Sequence, residues 1–166
     1  MNLRRILKHL LTPHWIVART FPRRTLDAIA AAIQASEQTH EGELRFAIEA
    51  GLHATALVRG STPRERAIEV FSALRVWDTE HNNGILIYVQ MLDRHLEIVA
   101  DRGISARVLQ EQWDAVGRRM EQAYRRGDFE QGTLAGIGEM TQLLAAHFPL
   151  RGAPRNELPD RPVVLP

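Results

Sequence analysis

Apolar and polar positions recur along the chain with two periods, one typical of helices and one typical of strands. Apolar residues return every three to four positions in five stretches, which predicts five helices with one apolar face each. They lie near the N-terminus, from Thr25 to about Thr39, from Thr62 to about His81–Asn83, from Ser105 to Arg126, and from about Phe129 to His147.

Three shorter segments have the pattern of strands. Glu43–Glu49 alternates polar and apolar residues, and Ile85–Val89 is an uninterrupted apolar run. Leu96–Ala100 follows a turn at Leu92–His95, so it is predicted to pair with the preceding strand as a hairpin. The order helix, helix, strand, helix, strand, strand, helix, helix predicts a three-layer α/β/α sandwich with a small mixed sheet flanked by helices.

The chain divides into three regions. Residues 1–20 are predicted to form an N-terminal amphipathic helix and a linker, and residues 21–148 the α/β domain. Residues 149–166 contain five of the eight prolines and little apolar periodicity, so we expect an extended or disordered tail.

Topology brings distant polar residues together. A strand, a helix and a second strand should form a parallel crossover, and the hairpin makes the third strand antiparallel to the second. The starts of the first two strands, the end of the third and the end of the intervening helix then share one edge of the sheet. The polar residues predicted at that edge are Glu43, Asp78, His81, Asn82, Asn83, Asp101 and Arg102.

Carboxylate and amide oxygens at this edge are ligands that suit Ca²⁺ or Mg²⁺. The carbonyl end of a helix also favours a cation. Asp78 and Asp101 together could hold a metal that activates water for phosphoester hydrolysis. Arg102 could pair with an acid or bind an anionic group such as phosphate, while His81 and Asn82 are accessory candidates.

A purely structural role is the alternative for the same residues. Asp78 would then hydrogen-bond the following loop, and Asn82 and Asn83 would end a helix, since Asn tolerates positive φ. Asp101 and Arg102 would form an ion pair and a turn. The residues alone leave a metal site, a catalytic site and a structural cluster all open.

Composition narrows the class of protein. With 166 residues, 45% of them hydrophobic and 25% charged, the chain is typical of one soluble domain. A net charge of +1 argues against a dedicated nucleic-acid binder. The absence of cysteine excludes disulfides, thiolate metal sites and a cysteine nucleophile. Because no apolar run approaches a membrane span, and no signal peptide is evident, we expect a cytoplasmic protein.

The N-terminal stretch gives a second candidate function. Its apolar residues share one helical face, with basic residues opposite: Leu3, Ile6, Leu7, Leu10 and Leu11 against Arg4, Arg5 and Lys8. Such a helix docks on the body of the protein, on a protein partner, or on a membrane surface. The alternative function is therefore a non-catalytic interaction module, peripheral to the membrane in the last case.

The central pattern resembles the TPM domain family over roughly residues 10–150. The segments that carry the resemblance are Gly42–Glu49, Val76–Tyr88, Leu96–Ile104, and the Gly-rich helix that ends in His147-Phe148-Pro149. The Asn-Gly-strand-hairpin-strand-Gly order is their most specific feature, and the final helix is similar to that of the short, soluble bacterial branch.

The resemblance implies an α/β/α sandwich and a divalent-cation site, usually for calcium rather than magnesium. It places the metal ligands at Asp78, Asn83 and Asp101, with Glu43 beside them. It also implies acid-phosphatase activity, as reported for plant lumenal members. Many members carry a signal peptide and a C-terminal membrane segment. This chain shows neither, so the membrane-repair roles of the family are not implied for it.

Overall fold

The computed structural model describes residues 15–51 and 60–166. Helices in this part are α1 (Trp15–Thr20), α2 (Arg23–Glu37), α3 (Pro63–Ala73), α4 (Arg102–Ser105), α5 (Gln110–Arg126) and α6 (Phe129–His147), and strands are β1 (Glu43–Glu49), β2 (Gly84–Gln90), β3 (His95–Ala100) and β4 (Val163–Leu165). The amphipathic helix predicted around Leu3–Leu11 lies outside the described residues. No helix within them has the length and apolar content needed to cross a bilayer.

The four strands form one mixed sheet in the order β3-β2-β1-β4. β1 and β2 are parallel and in register from Glu43 opposite Gly84 to Glu49 opposite Gln90. β3 runs antiparallel to β2, whereas β4 runs parallel to β1. The predicted crossover and hairpin are therefore confirmed.

Side chains alternate between the two faces of the sheet, and each face has its own core. Leu44, Phe46 and Ile48 of β1 join a core built with α2, α5 and α6. Ala47 of β1 and Tyr88 of β2 join a smaller core built with α3. Burial of apolar residues on both faces is the main stabilising term, and the predicted three-layer α/β/α sandwich is confirmed.

Helix α3 ends about eight residues earlier than its sequence predicts. Leu74 caps the helix and Arg75 adopts a left-handed conformation with φ of 53°. The Arg75 and Val76 amides donate to the carbonyls of Ser72 (3.1 Å) and Phe71 (3.0 Å), which is the Schellman pattern that glycine usually provides. Full burial of Val76 turns the chain away from the helix axis at this point.

Two other elements differ from the expectation. Trp15–Thr20 is helical where a linker was predicted, with Val17 buried in the core. The helix predicted from Ser105 to Arg126 begins only at Gln110, as α5, because the chain is extended at Leu109 (φ −69°, ψ 146°). The short helix α4 precedes it and ends at Ser105. That break buries Val108 and leaves Leu109 exposed.

The C-terminal tail, for which the sequence predicts an extended or disordered form, is extended and includes a strand. Val163–Leu165 form β4, which pairs with Ala47, Ile48 and Glu49 of β1. Leu158 is buried in the smaller core. The tail is extended, as the sequence suggests, but it is held by a sheet edge that no local pattern in residues 149–166 reveals.

Candidate functional site

The starts of β1 and β2 and the end of β3 meet as the topology predicts. The amide of Glu43 donates to the Asn83 carbonyl (3.0 Å), and the amide of Asp101 donates to the Gly84 carbonyl (2.9 Å). These bonds tie the three ends into one edge. We call this region the polar edge, and its members are Glu41, Glu43, His81, Asn82, Asn83, Asp101 and Arg102.

Asn83 is the most deeply placed amide of the polar edge, with 6% of its surface exposed. Its Nδ2 donates to the carbonyl oxygen of Glu41, and its main-chain amide donates to Thr79 Oγ1 at 3.0 Å. Its Oδ1 is buried and has no hydrogen-bond partner among residues 15–51 and 60–166. A buried acceptor without a donor costs stability and calls for an explanation.

Asp101 combines a structural role with a second free oxygen. Its Oδ1 accepts a hydrogen bond from the Arg102 amide (2.7 Å) at the start of α4. Its Oδ2 is buried and has no hydrogen-bond partner in the part of the chain that the structure describes. The polar edge therefore holds two buried oxygens, one amide and one carboxylate, whose hydrogen-bonding capacity is unused.

Arg102 and Asn82 contact each other. The Arg102 Nε donates to Asn82 Oδ1 at 2.9 Å, and the Gly103 amide donates to the Asn82 carbonyl at 2.9 Å. Asn82 has a left-handed φ of 53°, in keeping with the tolerance of Asn for this conformation. The hydrogen-bond partner of the Arg102 guanidinium is thus the amide side chain of Asn82 rather than an acidic side chain.

Glu43 is buried beneath the C-terminal tail. Its Oε2 accepts hydrogen bonds from the main-chain amides of Glu157 (3.0 Å) and Leu158 (3.1 Å). Burial raises the pKa of the Glu43 carboxyl, and the two main-chain hydrogen bonds act in the opposite direction. One oxygen of this predicted ligand is therefore already engaged.

The two remaining candidates are exposed. The Asp78 amide donates to the Arg75 carbonyl at 2.9 Å, in the turns that follow α3. The Asp78 side chain faces solvent and lines neither cavity at the polar edge. His81 is also exposed, but it lines both of these cavities.

Two cavities open at the polar edge, with volumes of about 140 Å³ and about 480 Å³. Both are lined by Glu41, His81, Asn83 and Arg151. Arg107 and Phe148 line only the larger one, while His40, Glu43 and several tail residues line only the smaller one.

Sequence reasoning missed the contribution of Glu41, His40, Arg107 and Arg151. The segments that follow α2 and α6 meet here, since the Glu41 amide donates to the Phe148 carbonyl at 2.9 Å. His40 also forms a β-bridge with Pro149. The sequence feature that could have indicated these residues was the predicted length of α2 and α6, which brings the C-terminal ends of both helices to this edge.

The donor atoms at the polar edge limit the kind of cation that could bind there. Within residues 15–51 and 60–166, no group of three or more His, Asp or Glu side chains could hold a metal ion. Main-chain oxygens also approach this edge, since a Cβ added at Gly103 would lie 2.5 Å from the His81 carbonyl oxygen and 2.6 Å from that of Asn82. The Asn82 oxygen already accepts a hydrogen bond from the Gly103 amide at 2.9 Å. The donor set therefore fits a hard cation held by amide, carbonyl and a few carboxylate oxygens.

A small α/β sandwich with a polar site at the amino ends of two parallel strands is the class that this geometry defines. The family model described as the TPM domain matches residues 17–143, which include α2, the whole of β1–β3 and most of α6. The chain therefore belongs to the TPM domain family, and the resemblance found in the sequence is confirmed.

Solved structures agree with this assignment. The NMR structure of the BA42 protein from the psychrophilic bacterium Bizionia argentinensis is 30% identical, with a TM-score of 0.75 over 85% of this chain and 92% of that chain. The N-terminal domain of a P. gingivalis protein is 15% identical, with a TM-score of 0.62 over 85% and 95%, and supports the fold alone. No curated protein matches the chain.

Proposed function

We propose that this TPM domain binds a divalent cation at the polar edge, with calcium preferred over magnesium. The observation that carries the proposal is the pair of buried, unpartnered oxygens, Asn83 Oδ1 and Asp101 Oδ2. A cation bound at either oxygen would satisfy a buried acceptor, and so would offset the cost of burying it.

The kind of donor supports calcium. Calcium accepts six to eight oxygen ligands in flexible geometry and readily uses main-chain carbonyls, whereas Mg²⁺ demands a near-ideal octahedron. The polar edge offers one amide oxygen and one carboxylate oxygen, with the His81 carbonyl oxygen close by at Gly103. Few charged ligands also imply weak binding, in the range of extracellular calcium modules rather than cytosolic buffers.

A metal-dependent phosphatase is the extension of this proposal. A bound cation would supply Lewis-acid polarisation of a phosphoryl oxygen. Arg107 and Arg151 line the larger cavity together with Asn83 and His81, and guanidinium groups are well suited to hold a phosphate. Hydrolysis of p-nitrophenyl phosphate that needs the cation and is lost in Arg151→Ala would support this step, and no activity above the background would contradict it.

The test of cation binding is thermal unfolding of metal-stripped protein with Ca²⁺, Mg²⁺ and Mn²⁺ titrated in. A ligand at 100 times its Kd stabilises the folded state by about 2.7 kcal/mol, which raises Tm by several degrees in a domain of this size. With the weak Kd of about 10⁻⁴–10⁻³ M inferred above, that concentration is about 10–100 mM calcium, and we expect Tm to rise progressively up to it. No rise with any of the three metals would overturn the proposal.

Two matched substitutions place the site. Asp101→Asn keeps the oxygen that caps α4 but removes the charge, so it should weaken calcium binding at least about tenfold. Asp78→Asn removes the same charge from an exposed side chain near the same edge and should leave the affinity unchanged. An equal loss in both variants would mean that general electrostatics, rather than the two buried oxygens, holds the ion.

The second candidate function is a non-catalytic module that binds a protein or a membrane surface through its N-terminal residues. One observation favours it: Trp15, the first described residue, is 59% exposed, and exposed tryptophans are frequent at interfaces. Deleting residues 1–12 should abolish binding to anionic phosphatidylglycerol vesicles while leaving any calcium-dependent rise in Tm intact. Unchanged or absent vesicle binding would count against a membrane-surface role.

A further inference from the structure

The C-terminal tail is held against β1 mainly through its main chain. Glu43 accepts hydrogen bonds from two tail amides, those of Glu157 (3.0 Å) and Leu158 (3.1 Å). Two residues further along β1, Arg45 Nη1 donates to the carbonyls of Pro159 (2.5 Å) and Arg161 (2.6 Å). One carboxylate and one guanidinium thus bind both kinds of main-chain group.

Strand pairing continues the same mode of contact. After Arg161 the tail adds β4 to β1, parallel and in register from Ala47 opposite Val163 to Glu49 opposite Leu165. Without β4, β1 would be the edge strand of the sheet, with unpaired main-chain groups. The first half of the tail is therefore bound by side chains of β1, and the last half by the main chain of β1.

Side-chain recognition of the tail rests on few residues. Leu158 is 6% exposed and packs into the smaller core, and Pro162 is also buried. The residues that lead into this segment, 151–157, are all exposed. Val163 and Leu165 also pack partly against the smaller core. An exposed lead-in and these few apolar side chains make the tail a peptide seated on the domain.

The tail also lies outside the part of the chain that defines the family. The family model matches residues 17–143, which include Glu43, Arg45 and the whole of β1 but none of the tail. The groove thus belongs to the TPM domain, and its occupant is a separate segment of the chain.

We propose that the edge and outer face of β1 form a docking groove for an extended peptide, which the C-terminal tail fills in cis and the tail of a second copy can fill in trans. Main-chain recognition does not depend on which copy supplies the segment, so the contacts are the same in both arrangements. The two arrangements would differ in the path of the exposed lead-in at residues 151–157, which would cross from one copy to the other in trans.

Tethering decides which arrangement dominates. A short flexible linker gives the cis tail an effective concentration on the order of millimolar, so a free peptide must compete with it. Weakening the cis tail without changing the groove should reveal the trans site. Leu158→Asp and Glu157→Pro both do so, because each alters only the tail: the first removes the apolar anchor and the second removes a main-chain donor.

The experiment uses a fluorescently labelled peptide of residues 155–166, with binding to full-length protein measured by anisotropy. We expect saturable binding to the Leu158→Asp protein and at least roughly tenfold weaker apparent binding to wild type, because of the cis competitor. Adding Arg45→Ala to the Leu158→Asp protein should weaken binding roughly tenfold, since it removes two charged hydrogen bonds.

Two controls make the result decisive. A peptide carrying Leu158→Asp should not bind, and equal binding by that peptide would overturn the proposal by showing non-specific attachment. Cooperative thermal unfolding of each variant reports that the domain is folded, and Glu157→Pro replaces Leu158→Asp if the latter does not fold. A folded variant with a weakened tail that fails to bind the peptide would likewise overturn the proposal.

Discussion

A Cβ atom added to Gly84 would lie 1.9 Å from the carbonyl oxygen of Val76. Gly84 is the first residue of β2, and Val76 lies just beyond α3, so the chain passes close to itself before entering the sheet. Glycine is required here because of this close approach rather than because of its φ angle. The left-handed φ angles in this region belong to Arg75 and Asn82.

We predict that Gly84→Ala lowers the free energy of unfolding by about 3 kcal/mol, because backbone rather than a flexible side chain must move. Urea unfolding measures the change. Gly138→Ala is the matched control: Gly138 lies within α6, and nothing lies within 4 Å of a Cβ added there. It should stabilise the protein by about 0.5–1 kcal/mol, since alanine is the better helix former. A neutral Gly84→Ala would contradict the close approach.

Arg66 and Glu49 form an ion pair beneath α3. Arg66 Nη2 lies 2.8 Å from Glu49 Oε1, Glu49 is fully buried, and the Tyr88 hydroxyl also donates to Glu49. Arg66→Met should destabilise the protein by about 3–5 kcal/mol, because it removes a charged partner of a buried carboxylate. Urea unfolding gives the value.

The control for this pair is the exposed one between Arg119 and Glu139, whose Nε and Oε2 lie 2.8 Å apart. The Arg119 side chain is 53% exposed, so Arg119→Met should cost less than about 1 kcal/mol. Equal losses from the two substitutions would show that burial does not set the strength of these pairs.

His95 links the edge strand β3 to α5. Its Nε2 lies 2.9 Å from Glu97 and its Nδ1 lies 2.8 Å from Glu121. The hydrogen bond to Glu97, with the nearby charges of Glu121 and Asp93, raises the pKa of His95 against the effect of burial. The folded state therefore holds this proton to higher pH than the unfolded state does.

The consequence is a stability that depends on pH with a known sign. The contribution of His95 is fully present below its unfolded pKa of about 6.5 and is lost as pH rises through the higher folded pKa. His95→Gln should destabilise the protein more at about pH 6 than at about pH 9, as measured by urea unfolding at both pH values. A pH-independent difference would exclude the charged form of His95.

The pKa of Glu37 is also raised in the folded protein, but mainly by burial rather than by a charged partner. Its Oε1 accepts a hydrogen bond from the Leu44 amide at 2.9 Å, and its Oε2 is buried without a partner. Burial raises the pKa of Glu37 to about 8, the hydrogen bond from Leu44 opposes this, and the charges of Glu43 and Asp160 add to the rise. The unfolded chain therefore releases this proton well below the pH at which the folded protein does.

Stability from Glu37 should thus fall as pH rises from about 4.5 towards 8. Glu37→Gln keeps the acceptor for Leu44 but cannot ionise, so the variant should gain stability over wild type progressively across that range. Urea unfolding at about pH 5, 7 and 9 compares the two proteins. Parallel curves would mean that Glu37 ionises normally in the folded state.

Several features follow from local pattern alone. The bounds of β1 and α6 agree with the prediction from apolar periodicity, because each element buries a face along its whole length. The meeting of Glu43, Asn83 and Asp101 at one edge follows from connection rules, since a crossover and a hairpin leave few alternatives. The candidate site could therefore be located, although not described, from the sequence.

The end of α3 could not be predicted in this way. The sequence offers Asn82-Asn83-Gly84 as a stop, whereas the helix ends at Ala73 with Arg75 in a conformation that favours glycine. Burial of Val76 against distant residues of the sheet outweighs the local preference, because packing energy exceeds the small cost of one left-handed arginine.

The amino-acid sequence by itself determined most of the elements, their layers and the edge where polar residues gather, because these depend on periodicity within short segments and on the rules that connect them. Tertiary structure alone decided that Glu43 is covered by the tail and that Asn83 and Asp101 each keep one buried oxygen without a partner. The bonds that cover Glu43 join segments more than 100 residues apart, and which oxygens stay without a partner depends on the groups that the folded chain brings next to them.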